Sequence, residues 1–267
     1  MWPIELLELF LRGRQFDRAL SIGCGTGTLE RQLIERGMCR SFDAFDGSVR
    51  SLMIARREAD SAGLRDKIRY FAADFNEPAL PRSRYEIVFF HQSAHHVGKL
   101  EKLYRALMRA LKPGGLVYFD EYVGPSRFEW ATQPDLLDRH KKIFEAIPPS
   151  VRAVDQLKPP IQMDDPSEAI RSSEIEPQLR IGFDILGKQT YGGGILSIII
   201  PSLRIEKVDA ALLQYLIDED RQAPPYHALM LATPKRGFLG AIARARYWLE
   251  PKVKHVVIEL RRAVRGF

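Results

Sequence analysis

The feature that most constrains this chain is the run Ile22-Gly23-Cys24-Gly25-Thr26-Gly27, which lies between a short apolar segment and an amphipathic one. Glycine has no side chain and tolerates positive φ, so alternate glycines let the backbone turn tightly and approach a ligand closely. A helix that follows such a turn points its first amides toward that ligand. Because glycines in a row are also typical of an ordinary turn, the meaning of the run depends on the residues downstream of it.

Residues 17–120 alternate short apolar runs with longer amphipathic segments, which is the pattern of a parallel sheet with crossover helices. The predicted strands are Arg18–Ile22, Cys39–Phe45, Ile68–Ala72, Tyr85–Phe90 and Leu116–Asp120. The predicted helices are Leu29–Arg36, Val49–Ala62 and Lys99–Leu111, the last of which ends before Pro113-Gly114-Gly115.

Beyond Tyr122 this rhythm breaks. Residues 124–180 are rich in proline and charge, and we interpret them as an insert that caps the cleft, with helices around Leu136–Ala146 and Pro166–Ser172. The sheet is then expected to resume with strand Gly182–Gln189, helices Ile195–Pro201 and Asp209–Asp220, and strand Ala228–Thr233. The predicted fold class is α/β: a seven-stranded, mostly parallel, doubly wound sheet whose last strand is antiparallel.

Acidic residues follow the second and third predicted strands. A carboxylate about twenty residues beyond a glycine turn suits the two hydroxyls of a ribose, and either Asp43 or Asp46 meets that requirement. Asp74 could accept a hydrogen bond from an adenine amino group, with Phe75 lying against the ring. Taken alone, Asp74 is better explained as the cap of a turn, and only its place in order with the other motifs favours the adenine contact.

These segments together resemble the class I S-adenosylmethionine-dependent methyltransferases, which have a Rossmann-like fold. The resemblance covers about residues 15–122 and depends on ALSIGCGTG (19–27), FDAFDGS (42–48), AAD (72–74), YEIVFFHQSAHHV (85–97) and LKPGGLVYFDE (111–121), in order and at family spacing. It implies that S-adenosyl-L-methionine is the cofactor, that Asp46 is a better ribose ligand than Asp43, and that Asp74 takes the adenine position. The implied cofactor-binding residues are Gly23, Cys24, Gly25, Thr26, Gly27, Asp46, Gly47, Asp74, Phe75 and His91.

One departure concerns the segment before the first strand. Many relatives have helices there that close over the cofactor, whereas nothing substantial is expected at this place in the present chain. We therefore expect the insert at 124–180 to provide the closure.

Methyl transfer to a hydroxyl requires alignment of the acceptor and removal of its proton. The family's substrate pocket opens at the carboxyl ends of strands four and five, so the candidate catalytic residues are His95, His96 and Glu121. The alternative is that the second histidine of this pair only packs beside the cofactor. Methylation of a nucleic-acid base is disfavoured, because the fourth strand is followed by His91-Gln92-Ser93-Ala94 rather than by Asn or Asp before Pro-Pro-Tyr.

Parts of the insert, DEYVGPSRF (120–128), DPSEAIRS (165–172) and the later YGGG (191–194), resemble bacterial methyltransferases associated with polysaccharide or glycolipid modification. A hydroxyl-rich acceptor would need aromatic and charged contacts, for which the candidates are Arg127, Trp130, His140, Arg171 and Tyr191. Each of these is equally explained by packing between parts of the protein.

The net charge of +6 is concentrated at one end of the chain. Residues 235–267 carry nine lysines and arginines against two acids, and Phe238–Leu249 and Val253–Phe267 are candidate amphipathic helices. Such a basic tail is typical of contact with an anionic membrane surface. Packing on the protein or on a second subunit in a homodimer is the alternative, and binding to nucleic acid is not favoured.

The chain also lacks several signals. It has two cysteines, Cys24 and Cys39, and no Cys-x-x-Cys pair, so no structural metal is expected. The absence of an export signal or a long apolar run predicts a cytoplasmic protein. The basic tail places it on the inner face of the membrane if the tail binds there.

The predicted organisation is a methyltransferase domain at 1–234 and a basic helical tail at 235–267. The predicted function is O-methylation of a glycan, glycolipid or lipid-linked sugar hydroxyl. Two alternatives stay open: a small-molecule O- or C-methyltransferase of secondary metabolism, and a non-catalytic cofactor-binding protein recruited to RNA or membrane by its tail.

Overall fold

A computed structural model of the protein describes residues 3–11, 13–159 and 165–237. Within this part, the strands are β1 (Ala19–Ile22), β2 (Phe42–Asp46), β3 (Ile68–Ala72), β4 (Tyr85–His91), β5 (Leu111–Tyr122), β6 (Phe183–Tyr191) and β7 (His227–Pro234). They form one sheet in the order β3-β2-β1-β4-β5-β7-β6. Neighbouring strands among β1 to β5 pair in parallel, and β7 runs antiparallel to both β5 and β6. The predicted fold class is therefore confirmed.

The helices of the described chain are α1 (Pro3–Leu11), α2 (Thr28–Glu35), α3 (Val49–Ser61), α4 (Leu100–Ala110), α5 (Arg127–Thr132), α6 (Asp138–Ala146), α7 (Ile175–Gly182), α8 (Leu196–Ile199) and α9 (Ala210–Gln222). A 3₁₀ turn at Ala94–His96 follows β4. None of these helices is both long and apolar enough to cross a lipid bilayer.

The sheet is buried on both faces because its central strands are apolar at successive positions. In β4, Ile87 and Phe89 belong to the core on the side of α1, α2 and α3, whereas Val88 and Phe90 belong to the core on the side of α4 and α7. Successive side chains of a strand point to opposite faces, so an uninterrupted apolar run serves two helical layers.

Two elements differ from the predictions. Helix α1 precedes the first strand, where little structure was expected, and its Leu7 is fully buried against the sheet. The signal was present in the sequence, since Pro3 suits the first helical turn and Ile4, Leu7 and Leu11 recur at helical spacing.

The second difference lies in the insert. The predicted helix over Pro166–Ser172 is wrong, because that segment forms turns, and the helix lies at α7. Ala169 has φ +48, a value that interrupts a right-handed helix.

The insert and the helices between β6 and β7 share apolar clusters that are separate from those on the sheet. Helix α6 packs with α8 and α9 through a cluster that includes Phe144, Ile199 and Leu216, distinct from the clusters on the sheet. A further cluster joins Tyr122, Trp130 and Tyr226. The helices after β6 therefore pack on the insert.

The carboxylate of Asp43 is occupied by neighbouring side chains of the protein. Its carboxylate is buried on β2 and accepts hydrogen bonds from Arg18, Arg69, Arg84 and Tyr85, with Arg69 Nη2 at 2.6 Å from Oδ1. Burial alone would raise the pKa of this carboxyl, but these donors lower it overall. Asp43 is thus a structural ion-pair centre, and the alternative that it binds the ribose is not supported.

Candidate cofactor and active site

A large cavity, of about 1290 Å³, opens at the carboxyl edge of the parallel strands. Its wall includes residues that follow β1, β2, β3 and β4. Helix α1 adds Ile4 and Leu7, and the insert adds Asp165 and Ser167. The closure predicted from the insert is therefore shared with α1.

The glycine turn has the geometry that its sequence predicts. Gly23, Gly25 and Gly27 have φ of +75°, +53° and +75°. A Cβ on Gly23 would collide with Ser93, and one on Gly27 would collide with the Tyr70 hydroxyl, whereas a Cβ on Gly25 would meet open space. Two glycines are thus required by packing, and Gly25 leaves room on the ligand side.

Asp46 links the glycine turn to the end of β2. Its Oδ2 accepts a hydrogen bond from the Gly25 amide at 2.7 Å and its Oδ1 accepts one from the Ser48 amide at 2.7 Å. Each carboxylate oxygen has a second lone pair, so these bonds leave acceptor capacity toward the cavity that Asp46 lines.

Asp74 and Phe75 lie in the same wall. Asp74 Oδ1 accepts a hydrogen bond from the backbone N–H of Asn76 at 2.8 Å. This is the turn-capping role that the sequence analysis gave as the alternative to an adenine contact. Capping occupies one of its two oxygens, so the residue meets both interpretations.

Of the ten predicted cofactor residues, nine line the cavity: Gly23, Cys24, Gly25, Thr26, Asp46, Gly47, Asp74, Phe75 and His91. Gly27 does not, because it starts α2 against Tyr70. His91 Nδ1 lies 3.0 Å from Asp120 Oδ2, and this hydrogen bond raises the pKa of the imidazole.

The three predicted catalytic residues separate into a buried pair and one residue in the wall. Glu121 is fully buried; its Oε1 accepts from the Ser93 and Ala94 amides, both at 2.5 Å, and its Oε2 lies 2.9 Å from His95 Nδ1. His96 lines the cavity, and neither His95 nor Glu121 does. Glu121 is therefore placed to position His95 and the backbone around it.

The two histidines differ in their protonation. Burial lowers the pKa of His95, but Glu121 beside it outweighs burial and raises the pKa overall. For His96, burial and the charge of His95 lower the pKa, which favours a neutral imidazole in the cavity wall.

Glu30 is a site residue that the sequence analysis missed. It is fully buried on α2, it lines the cavity, and neither carboxylate oxygen has a hydrogen-bond partner in the described chain. Burial raises the pKa of this carboxyl, and the nearby Ser21 hydroxyl, which does not reach hydrogen-bond geometry, offsets only part of that rise. A signal was available, because Glu30 shares a helical face with the buried Leu33 and Ile34.

The residues proposed to contact an acceptor make internal contacts instead. Arg171 binds Glu101 and Glu174, Trp130 Nε1 donates to Tyr122 Oη, His140 bonds to the Gly194 carbonyl, and Tyr191 Oη donates to Asp120. Arg127 donates to the Asp165 carbonyl. None of the five lines the cavity, so packing is the role that the structure supports.

Residues 19–115 match the family model described as "Methyltransferase domain". This segment contains the glycine turn, Asp46, Asp74 and both candidate histidines. Residues 19–115 are a methyltransferase domain. The family resemblance seen in the sequence is thereby confirmed.

Curated relatives match part of the chain at low identity. The sterol 24-C-methyltransferase of Eremothecium gossypii is 26% identical over 127 residues, which are 48% of this chain and 32% of that protein. The ubiquinone biosynthesis O-methyltransferase of Bordetella avium is 33% identical over 117 residues, 43% of this chain and 46% of that protein. The chain thus spans less than half the length of each of these relatives.

Solved structures extend the likeness to the whole fold. The cyclase SpnF aligns with a TM-score of 0.56 at 16% identity, covering 87% of this chain and 80% of that chain. The geranyl diphosphate C-methyltransferase of Streptomyces coelicolor aligns with a TM-score of 0.54 at 16% identity, covering 87% of this chain and 81% of that chain. Since one of these proteins is named a cyclase, the shared fold of the methyltransferase domain does not by itself identify the reaction.

The different surroundings of two glycines predict different defects. Gly23→Ala should lower the free energy of unfolding by about 3 kcal/mol, because it adds a left-handed alanine and a collision with Ser93. Gly25→Ala has the backbone cost alone, about 1 kcal/mol, but places a methyl group on the ligand side.

Urea denaturation and calorimetric titration with S-adenosylhomocysteine would measure both effects. Gly25→Ala is expected to fold well and to bind the nucleoside at least 10-fold more weakly. Unchanged affinity in Gly25→Ala would show that the turn does not face the ligand.

Proposed function

We propose that the protein is an S-adenosylmethionine-dependent methyltransferase that methylates a hydroxyl oxygen of its acceptor. The observation that carries this proposal is one continuous cavity whose wall contains both the glycine turn with Asp46 and the imidazole of His96. A nucleoside site and a group able to take a proton are thus adjacent.

The residues present fit the cofactor. Gly25 leaves open space on the ligand side, Asp46 keeps acceptor capacity for a ribose, and Phe75 offers an aromatic face to an adenine. The unpartnered carboxylate of Glu30 needs a cationic or donor group, and the α-ammonium of the methionine part of the cofactor supplies one. When bound, the cofactor supplies a methyl group already activated by its attachment to a sulfonium.

The protein's contribution is therefore orientation and proton removal. Glu121 holds the backbone at Ser93 and Ala94 and the ring of His95, and this arrangement places His96 in the wall. A neutral imidazole at His96 can accept the proton of an acceptor hydroxyl as oxygen attacks the methyl carbon.

For the acceptor we propose a glycan, glycolipid or lipid-linked sugar hydroxyl. Polar groups at the part of the wall formed by the insert and the loop after β4 support this proposal: His96, Asp165 and Ser167 together offer the hydrogen bonds that a hydroxyl-rich molecule uses. A small-molecule acceptor is the second candidate, favoured by relatives named for sterols and ubiquinone biosynthesis.

We also propose that residues 235–267 hold the enzyme to an anionic membrane surface on the cytoplasmic side. Residues 238–267 lie outside the described chain, so support comes from the segregation of basic and apolar residues in the sequence. A second subunit as the partner of this tail is the alternative.

Glu30→Gln tests the cofactor site. S-adenosylhomocysteine should bind about 10-fold more weakly, because a carboxylate bonded to an ammonium becomes a neutral amide. Methylthioadenosine, which lacks the amino acid part, serves as the control and should bind within about 2-fold of the parent. Equal weakening of both ligands in calorimetry would show that Glu30 does not face the ammonium.

His96→Asn tests the role in proton removal. With radiolabelled S-adenosylmethionine and an alkyl glycoside, a phenol and an aliphatic alcohol as acceptors, kcat should fall about 100-fold or more while the affinity for S-adenosylhomocysteine is unchanged. Glu121→Gln should lower kcat and also the free energy of unfolding, since it weakens a buried network. Unchanged turnover in His95, His96 and Glu121 variants alike would contradict this mechanism.

The membrane proposal is tested by sedimentation with vesicles of anionic phosphatidylglycerol and with vesicles of phosphatidylcholine alone. The full chain should sediment with the anionic vesicles and a version ending at Pro234 should not, because nine basic residues lie beyond that point. Equal sedimentation of the two proteins would contradict the proposal. A mass in solution of twice that of one chain, seen for the full protein and not for the version ending at Pro234, would then favour a dimer.

A further inference from the structure

Three side chains with potential metal-ligand atoms lie close together beside the cavity. His95, His96 and Glu168 each direct one potential ligand atom to a common point, and these atoms lie within 4.8 Å of one another. Glu168 Oε2 is 3.9 Å from Nε2 of His95 and 3.9 Å from Nε2 of His96. Both distances are too long for a hydrogen bond.

The partner of His95 determines which of its ring nitrogens carries a proton. Glu121 is an acceptor of two backbone amides and faces His95 Nδ1 at 2.9 Å, so Nδ1 donates to it. Nε2 is then the ring nitrogen that remains for a ligand, and Nε2 is the atom that faces Glu168.

His96 is oriented by a chain of hydrogen bonds through Ser167 to Asp165. The Ser167 hydroxyl donates to Asp165 Oδ1 at 2.6 Å, so its oxygen is free to accept from His96 Nδ1 at 3.1 Å. This leaves a lone pair on Nε2, which faces the same Glu168 oxygen.

Two imidazole Nε2 atoms and a carboxylate oxygen thus meet in a largely buried place, and a metal ion that displaces any proton on Nε2 would find three ligands there. We propose that His95, His96 and Glu168 bind a divalent transition-metal ion, of which Zn²⁺ is the natural representative. Two histidines and one carboxylate suit such ions, and a hydrogen bond from each Nδ1 to an oxygen is the usual support of a metal-bound imidazole.

The spacing is compatible with this ion. Ligand atoms around a tetrahedral Zn²⁺ lie about 3.4 Å apart, so the Glu168 oxygen has to approach each nitrogen by about 0.5 Å, and the two histidine nitrogens, which lie within 4.8 Å of each other, have to reach the same separation. Three protein ligands leave at least one coordination position for another molecule, which is the arrangement of catalytic rather than structural metal sites.

The site is adjacent to the place where an acceptor would lie. His96, Asp165 and Ser167 are in the cavity wall, and the site joins the methyltransferase domain to the insert. The inference rests on the proposed methylation of a hydroxyl but changes the role of His96, which as a ligand of the ion would no longer take the proton. An acceptor hydroxyl bound to the ion would instead lose its proton to water more readily. Its oxygen would then form a bond to the methyl carbon as the carbon–sulfur bond breaks, with the electron pair remaining on sulfur.

The sequence analysis predicted no metal site because the three proposed ligands belong to different motifs. His95 and His96 follow β4, whereas Glu168 comes from the DPSEAIRS segment of the insert. Short-range spacing searches detect sites whose ligands share one loop or helix, and this one requires the insert to fold back.

The test uses the full chain after removal of metals with a chelator. Titration with Co²⁺, followed by visible absorption, and competition with Zn²⁺ should show one equivalent bound with the spectrum of a four- or five-coordinate ion. Glu168→Gln and His96→Gln should each weaken binding about 100-fold, and Ser167→Ala about 10-fold through the orientation of His96.

Two control variants should bind as the parent does: Glu145→Gln, an exposed carboxylate of the same insert, and His91→Gln, a histidine of the same cavity paired with Asp120. Absence of stoichiometric binding, or binding unchanged by Glu168→Gln and His96→Gln, would overturn the inference.

Methyl transfer measured in parallel separates this inference from the proposed function. Binding of one metal ion without methylation of any acceptor leaves the metal site standing and contradicts the proposed function. Methylation at full rate by a protein that binds no metal contradicts the metal site and leaves the proposed function standing, because His96 then acts as a free base.

Discussion

The fully buried carboxylate of Glu121 organises the site. A charge away from water has to be matched by donors, and here the donors are the Ser93 amide, the Ala94 amide and the His95 ring. These bonds hold the loop after β4 in place, and Ser93 in turn donates to the Ile22 carbonyl at 2.6 Å. Ser93 then occupies the space that a side chain at Gly23 would fill, so one carboxylate on β5 also constrains the glycine turn after β1.

This linkage joins the two halves of the cavity. The nucleoside side is built from turns after β1, β2 and β3, which parallel strands bring to one edge. The acceptor side is built from the loop after β4 and the insert, where the Ile170 amide donates to the His95 carbonyl at 3.1 Å. In the proposed function, the orientation of an acceptor would therefore depend on contacts made by Glu121 and by the insert.

The interior also explains which charged residues are structural. Asp43 and Arg171 each bind several opposite charges at positions away from the cavity, and the central side chain of each cluster is largely shielded from water. Glu30 is fully buried and its carboxylate oxygens lack such partners in the described chain, which supports the proposal that it faces a ligand. The difference between the two kinds of buried charge lies in their hydrogen bonds and is invisible in the order of acidic residues along the chain.

The sequence by itself determined the alternation of strands and helices, the place of the glycine turn, and the cavity positions of Asp46, Asp74, Phe75 and His91. These depend on local conformational preference and on chain order, because the carboxyl ends of parallel strands meet at one edge. Only the tertiary structure decided that His96 faces the cavity while His95 and Glu121 lie behind it, that Arg171 and His140 are interior, and that Glu168 joins the histidines. The physical reason is that the burial of a side chain and the direction of its lone pairs depend on which distant segments pack against it, and no local pattern of residues contains that information.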